Sequence, residues 1–234
     1  MPIKLNEDCH VHSTFSDGIN SIEENANAAK KAGILTLGCV DHVRKDTTWI
    51  RNFANAVKKA SGHIQLFSGI EAKFLNQLGE LDLPESDIAL VDRIYAADHK
   101  FPLGNACKTP REIRELIKAG ALDEKEAINI YFETLHNILE KYPRITFAHL
   151  FSIFPKIKIL EHTIEQSTLD QLAKHCKDRN AIVEVDERWR CPGPKAIRTF
   201  IKFGVSVVAS TDSHRASDIG HYNYVKELAE ALEC

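Results

Sequence analysis

The sequence lacks the features that mark membrane-spanning, secreted and nucleic-acid-coating proteins. No stretch approaches the roughly 18 consecutive apolar residues of a membrane span, and the first residues carry no apolar signal segment. The six cysteines form no CxxC pair. Lysine and arginine (30) do not outnumber aspartate and glutamate (33). We therefore expect a cytoplasmic protein with reduced thiols, no membrane partner and no stable nucleic-acid partner.

The chain also lacks linkers, low-complexity runs and internal repeats, so residues 1–234 are expected to form a single domain. Short apolar strands alternate with longer helical segments. Strands are predicted around His10 and His12 and at 34–42, 63–71, 92–99, 144–150, 181–185 and 205–211. Helices are predicted from the capping box of Ser21 and Glu24 to Gly33, at 48–60, 110–119, 123–141, 167–179 and 194–203, and from 222 onwards. This rhythm predicts an α/β fold with a parallel sheet closed into a barrel, and an open doubly wound sheet is the alternative.

Histidines and carboxylates stand at the ends of six of the seven predicted strands. In parallel α/β barrels the functional residues lie at these carboxyl ends. Alternate residues of a strand share a face, so His10 and His12 point the same way, as do Asp212 and His214 if their strand stays extended. The residues at the strand ends are His10, His12, His42, Glu71, His99, His149, Asp212 and His214.

Together with Asp17, these residues make nine candidate metal ligands. Nine exceed what one tetrahedral ion takes and fit two or three ions, and mixed imidazole and carboxylate ligands suit zinc, manganese or iron. Glu71 follows the apolar run IQLFSGI, where an unpaired carboxylate would be costly to bury. Asp17 could instead bond its own backbone in an SDG turn. Asp8 shares the strand face of His10 and is a candidate partner for orienting it.

The segments HVHSTFSDG, VDH, GIE, ADH, FAHL and STDSH resemble, in order, the metal-binding motifs of the polymerase and histidinol phosphatase (PHP) family. The matches run from position 8 to 214. The resemblance implies a distorted (β/α)7 TIM-like barrel with a trinuclear metal centre that hydrolyses phosphoesters. It assigns His10, His12, Glu71 and Asp212 to a first ion, Glu71, His99 and His149 to a second, and Asp17, His42 and His214 to a third. Many relatives carry histidine where Asp17 stands.

These observations lead to the expectation of a metal-dependent phosphatase with two or three zinc, manganese or iron ions. A hydroxide bridging the ions is the expected nucleophile, and the expected substrate is a small phosphate monoester, as for histidinol phosphatase. The expected catalytic residues are Glu71, Asp212 and His214. The residues expected to bind substrate are Arg44, Lys100, Arg188, Arg190 and His221.

Three alternatives stay open at the level of sequence. Trp49 and Trp189 follow strand ends and could stack on bases, as a nucleotide phosphodiesterase or a 3'–5' exonuclease requires. An amidohydrolase also uses clustered metals, although such barrels usually carry a carboxylated lysine or a simpler two-metal set. The third alternative is a non-catalytic metal-binding module.

Overall fold

The computed structural model describes residues 3–60, 62 and 64–232. His63, where a strand was predicted to begin, and Cys234 lie outside the described residues, and the five described cysteines are unpaired. The strands of the described part are β1 (Glu7–Val11), β2 (Thr36–His42), β3 (Gln65–Lys73), β4 (Arg93–Ala97), β5 (Phe101–Leu103), β6 (Ala106–Lys108), β7 (Ile145–Ala148), β8 (Ile182–Asp186) and β9 (Ser206–Ser210).

Apart from the four-residue α5, which was not predicted, the helices follow the predicted segments, with ends displaced by two residues or fewer. They are α1 (Ile22–Lys31), α2 (Ile50–Ala60), α3 (Pro110–Lys118), α4 (Glu124–Lys141), α5 (Ile153–Lys156), α6 (Gln166–Asp178), α7 (Pro194–Lys202) and α8 (Tyr224–Ala231). The predicted capping box is confirmed, because Glu24 N–H donates to Ser21 Oγ and Ser21 N–H donates to the Glu24 carboxylate. Within the described residues, no helix combines the length and apolar character needed to cross a bilayer.

Seven strands form one parallel sheet in the order β1-β2-β3-β4-β7-β8-β9. The sheet closes where Val11 pairs with Ser213, and His12 N–H donates to Ser213 O at 2.8 Å. The predicted barrel is therefore confirmed. A doubly wound sheet is excluded because strand neighbours follow the chain order around the sheet, without the reversal that such a fold requires. The antiparallel hairpin β5–β6 was not predicted, since strands of three residues carry too little alternation.

An apolar cluster fills the barrel beneath the carboxyl ends of its strands. Tyr95 donates a hydrogen bond from its hydroxyl to Cys9 O at 2.6 Å, and its ring centroid lies 5.1 Å from that of His10. The cluster consists of Cys9, Val40, Phe67, Tyr95, Ala97, Ala148 and Val208. This apolar cluster fills the barrel interior next to His10. The polar side chains therefore gather at the end of the barrel where the strands have their carboxyl ends.

Candidate metal centre

Glu71, near the end of β3, is the central carboxylate of the polar cluster at this end of the barrel. Its side chain is 1 % exposed, and each of its oxygens faces a different group of histidines. Oε1 faces His149 Nε2 at 3.0 Å and His99 Nε2 at 3.1 Å, whereas Oε2 faces His42 Nδ1 at 2.7 Å, His10 Nε2 at 3.5 Å and His12 Nε2 at 3.6 Å. One carboxylate thus faces five imidazoles from four strand ends, those of β1 (His10 and His12), β2 (His42), β4 (His99) and β7 (His149).

Two further carboxylates complete the cluster. Asp212 Oδ1 lies 3.0 Å from His12 Nε2 and 3.7 Å from His214 Nδ1. Asp17 faces three histidines, with its carboxylate 3.7 Å from His12, 3.5 Å from His42 and 3.3 Å from His214. With these contacts, all nine residues predicted as ligands lie together.

The geometry of the cluster fits divalent cations. Two ligand atoms each about 2.1 Å from a tetrahedral ion stand about 3.4 Å apart, and the distances between nitrogen and oxygen atoms in the cluster scatter around this separation. Among the described residues, His10 Nε2 and His12 Nδ1 are buried without a hydrogen-bond partner, which is costly unless something else binds them. Three sets of ligand atoms lie within 4.8 Å of one another: His12, Asp17, His42 and His214; His10, His12 and Asp212; and His42, Glu71 and His99.

These sets differ in detail from the assignment implied by the family resemblance. His42, assigned there to the third ion, lies equally with Glu71 and His99. His149 reaches the cluster through Glu71 Oε1. The arrangement holds ligands enough for more than one ion, since the three sets together use most of the nine residues.

The electrostatics show that this end of the barrel favours positive charge. Burial alone would lower the pKa of His10, but the carboxylates of Glu184 and Glu71 raise it well above its ordinary value. Burial likewise opposes charge on His149, whose pKa Asp98 and Glu71 raise well above normal. Burial would raise the pKa of Glu71, yet the surrounding histidines hold it well below normal. Divalent ions bound in place of the histidine protons would meet the same carboxylates.

Glu184 on β8 is a candidate functional residue that was not predicted from the sequence, because no metal ligand was predicted for its strand. Its oxygens lie 3.0 and 3.1 Å from His10 Nδ1, and Oε2 accepts the backbone N–H of His149 at 3.1 Å. It therefore orients His10, the role predicted for Asp8. That prediction is corrected: the Asp8 carboxylate instead accepts hydrogen bonds from Thr211 N–H, Thr211 Oγ1 and Gly220 N–H, and fastens β1 to the segment after β9.

Asp98, just after β4, orients His149 as Glu184 orients His10. Its carboxylate accepts hydrogen bonds from Ser152 Oγ at 2.6 Å and Tyr131 Oη at 2.7 Å, and lies 3.3 Å from His149 Nδ1. The ring of His149 is thereby turned so that Nε2 meets Glu71. A carboxylate behind a histidine in this way is usual in metal sites, where it fixes the ring and the tautomer.

Asp17 is held in place by a compact loop after β1. The carboxylate of Asp41 accepts hydrogen bonds from the backbone N–H and hydroxyl groups of both Ser13 and Ser16, at 2.5 to 3.1 Å. A Cβ at Gly18 would stand 2.5 Å from the carbonyl of His12, so the chain can turn this tightly only with glycine there. The loop therefore presents Asp17 beside His12.

Two of the five predicted substrate-binding residues lie beside the cluster. Arg188 Nη1 lies 2.7 Å from His214 Nδ1 and 3.2 Å from the backbone oxygen of Asp212. Arg188 also lines a cavity of about 550 Å³ together with His221, Asp212 and His214. A cation and a polar cavity thus adjoin the candidate ligands on the side of β8 and β9.

The other three are placed elsewhere. Arg190 lies 3.7 Å from Glu227 and over the ring of Tyr224, on the side of α8, and its positive φ of 53° turns it away from Arg188. The side chains of Arg44 and Lys100 are exposed, and in the described part of the chain neither forms a hydrogen bond or an ion pair with a candidate ligand. The substrate contacts predicted for these three residues stay predictions.

Comparisons with known proteins indicate a family and support the fold. Residues 8–188 match the family model of the PHP domain. A protein of Clostridium acetobutylicum described as a probable phosphatase is 25% identical over 97% of this chain and 86% of its own length, and another of Clostridium novyi is 21% identical over 97% and 86%. The crystal structure of a histidinol phosphate phosphatase from Lactococcus lactis, complexed with zinc, L-histidinol and phosphate, matches with a TM-score of 0.65 at 16% identity, over 96% of this chain and 92% of that one. This last match supports the barrel fold.

Proposed function

Since the chain belongs to the PHP domain family, we propose that it hydrolyses small phosphate monoesters with two or three divalent ions. The relatives described as probable phosphatases support a phosphate-ester hydrolase. The observation that carries the proposal is Glu71, whose two oxygens are shared among five histidines at 2.7 to 3.6 Å. A buried carboxylate surrounded by imidazoles is suited to binding cations, because burying its charge without such partners would be costly.

The proposed metal ligands are His10, His12, Asp17, His42, Glu71, His99, His149, Asp212 and His214. Ions held by them supply an activated water for attack on phosphorus and positive charge for the phosphoryl oxygens. We assign the catalytic role to Glu71, Asp212 and His214. Glu71 lies at the centre of the cluster, while Asp212 and His214 stand between the cluster and the adjoining cavity.

A monoester is favoured by the size and charge of the space beside the cluster. The guanidinium of Arg188 can bind phosphate oxygens in a bidentate way, and a cavity of about 550 Å³ suits a small leaving group. Zinc is the first metal to test, with manganese and iron beside it, and histidinol phosphate belongs in the substrate panel because of the Lactococcus lactis neighbour. The unpaired cysteines support a proposed cytoplasmic location.

A nucleotide phosphodiester is the second candidate, favoured by one observation. The indole of Trp189 is 38% exposed and lies close to the cluster, with its ring centroid 6.0 Å from that of His149. Trp49, the other predicted stacking residue, packs instead against Phe15 and Phe53. One exposed indole provides less stacking surface for successive bases than the two tryptophans predicted for this role.

The test compares p-nitrophenyl phosphate with bis(p-nitrophenyl) phosphate as substrates of zinc-loaded and manganese-loaded protein, with a chelated sample as the blank. We expect metal-dependent turnover of the monoester. Asp212→Asn and His12→Ala should abolish it without unfolding the protein by circular dichroism. His162→Ala, which alters an exposed histidine away from the cluster, is the matched control and should keep full activity.

Each other outcome has a definite meaning. Preferential turnover of the diester would replace the monoester proposal with the nucleotide alternative. Full activity of Asp212→Asn or His12→Ala would contradict the assigned site. A metal-loaded protein that hydrolyses neither ester would overturn the phosphoesterase proposal and favour the amidohydrolase or the non-catalytic module.

A further inference from the structure

Lys156, the last residue of α5, is a cation that none of the preceding assignments uses. Its ammonium lies 3.7 Å from the ring centroid of Trp189 and 3.5 Å from Ser152 Oγ. Its side chain is only partly exposed. Among the described residues no carboxylate lies within 4 Å of it, so this half-buried charge has no protein counter-ion.

The ring below Lys156 is fixed beside the candidate ligands. Trp189 Nε1–H donates to Asp212 Oδ2 at 2.9 Å, and the backbone N–H of Trp189 donates to Asp186 at 2.7 Å. The ring centroid is also 6.0 Å from that of His149. The indole therefore contacts Asp212 and lies close to His149, so the ammonium of Lys156 over its ring is held near these two candidate ligands.

A second cation lies against the same ring. The guanidinium carbon of Arg188 is 5.8 Å from the Trp189 centroid, and Arg188 Nη1 contacts His214 and the Asp212 backbone. Lys156, at the end of α5, and Arg188, in the segment after β8, thus reach one indole from different parts of the chain. Two cations beside one aromatic ring, next to the candidate ligands, are suited to binding an anion with several oxygens.

We propose that Lys156, carried over the Trp189 ring, binds the phosphate group of the substrate together with Arg188. The inference rests on the proposed monoesterase function and adds a residue to its substrate site. The cation–π contact with the Trp189 ring holds the ammonium in place. The missing counter-ion is then the phosphate itself, whose oxygens accept hydrogen bonds from the three donors of the ammonium.

The first test is steady-state kinetics of the metal-loaded protein with p-nitrophenyl phosphate. For Lys156→Gln we expect KM, and the inhibition constant of inorganic phosphate, to rise about ten- to a hundredfold, as for loss of a charge-assisted hydrogen bond. The kcat value and the metal content should change little. Lys156→Arg should recover part of the lost affinity. Lys158→Gln, an exposed lysine two residues along, is the matched control and should leave all constants unchanged.

The second test measures phosphate binding without turnover. The chain has two tryptophans, so Trp49→Phe leaves Trp189 as the single indole reporter. Titration of the zinc-loaded Trp49→Phe protein with inorganic phosphate should change its fluorescence, and adding Lys156→Gln should shift the midpoint at least about tenfold.

The two tests separate failure of this inference from failure of the proposed function. Monoester turnover by the unaltered protein, with equal KM and phosphate affinity in Lys156→Gln and Lys158→Gln, would overturn the role of Lys156 alone. A protein that hydrolyses no phosphate ester, yet binds phosphate less tightly after Lys156→Gln, would keep the anion site and overturn the function. Absence of any phosphate binding to the zinc-loaded protein would overturn the anion site.

Discussion

The carboxylate of Glu184 on β8 lies 3.0 Å from Nδ1 of His10 on β1, and both side chains are fully buried. The same carboxylate accepts the backbone N–H of His149, which has a positive φ of 33°. Glu184 therefore fixes one candidate ligand through its ring and a second through its backbone. A carboxylate bonded to the second ring nitrogen of a histidine makes that histidine a stronger and better oriented metal ligand. We therefore expect Glu184 to affect metal affinity without contacting an ion.

Replacing Glu184 with glutamine tests this role with nearly unchanged side-chain volume. We expect Glu184→Gln to weaken zinc binding about ten- to a hundredfold, the usual cost of losing such a partner. Chelator competition gives the affinity independently of turnover. Glu115→Gln, at an exposed position on α3, serves as the control. Unchanged zinc affinity in Glu184→Gln would show that His10 needs no partner.

The nine candidate ligands could be predicted because each stands in a short motif at a strand end. The parallel barrel then brings these ends together without further information. His10 and His12, for instance, are separated from His214 by about the whole chain, yet Val11 pairs with Ser213 where the barrel closes. The local motifs together with the barrel topology were sufficient to predict this part of the site.

The sequence alone did not predict the roles of Glu184 and Lys156 or the orientation of Arg190. Acids at 184 and 186 within the apolar run AIVEVD were a usable signal, because buried carboxylates need partners. Lys156 ends a four-residue helix whose direction depends on the fold around it. Arg190 is two residues from Arg188, but the backbone between them turns through a positive φ, and no residue pattern gave that turn.

Zinc binding should release protons. In the metal-free protein the pKa values of His10 and His149 are raised well above normal by their carboxylate neighbours, against the effect of burial. Each histidine therefore holds a proton at neutral pH that a metal must displace, so the apparent zinc affinity should rise with pH. The histidine protons stabilise the metal-free fold below about pH 6.5, and this contribution is lost as the pH rises through the raised values.

Calorimetric zinc titrations at pH 7 in buffers of different ionisation enthalpy count these protons. We expect a binding heat that depends on the buffer, because His10 and His149 release protons when zinc binds. A binding heat that does not depend on the buffer would contradict the raised pKa values. The Glu184→Gln protein offers an internal check, because loss of its charge should lower the pKa of His10 and reduce the number released.

The stability of the metal-free protein should also depend on Asp8. Burial raises the pKa of Asp8 from 3.8 to about 6, although Thr211 and Gly220 donate hydrogen bonds to it. The folded state therefore binds this proton more tightly than the unfolded state does. The stabilising contribution of the proton is present below pH 3.8 and lost as the pH rises through about 6.

Asp8→Asn removes this titration. Between pH 4.5 and 7 the free energy of unfolding of the unaltered protein should fall relative to that of Asp8→Asn by on the order of 2 kcal/mol. Urea denaturation of both chelated proteins across this range gives the difference. Parallel pH profiles would contradict the raised pKa of Asp8, whatever constant offset the lost hydrogen bonds produce.

Substitution of Asp17 tests whether one of the proposed ions can be lost while the others stay bound. Its side chain is 54% exposed, whereas those of His10 and Glu71 are almost fully buried, and it faces His12, His42 and His214 from the solvent side. We expect Asp17→Asn to bind about one ion fewer, because an amide is a weaker ligand than a carboxylate. Asp17→His should keep this ion, since imidazole suits the same metals.

Elemental analysis after dialysis against a weak chelator measures the number of ions, with Asp46→Asn, an exposed acid in the loop after β2, as the control. The loop that holds Asp17 is tied to Asp41 rather than to Asp17 itself, so the substitution should leave the backbone in place. Loss of all ions in Asp17→Asn would mean that the sites fill only together. An unchanged number would show that His12, His42 and His214 hold the ion without the carboxylate.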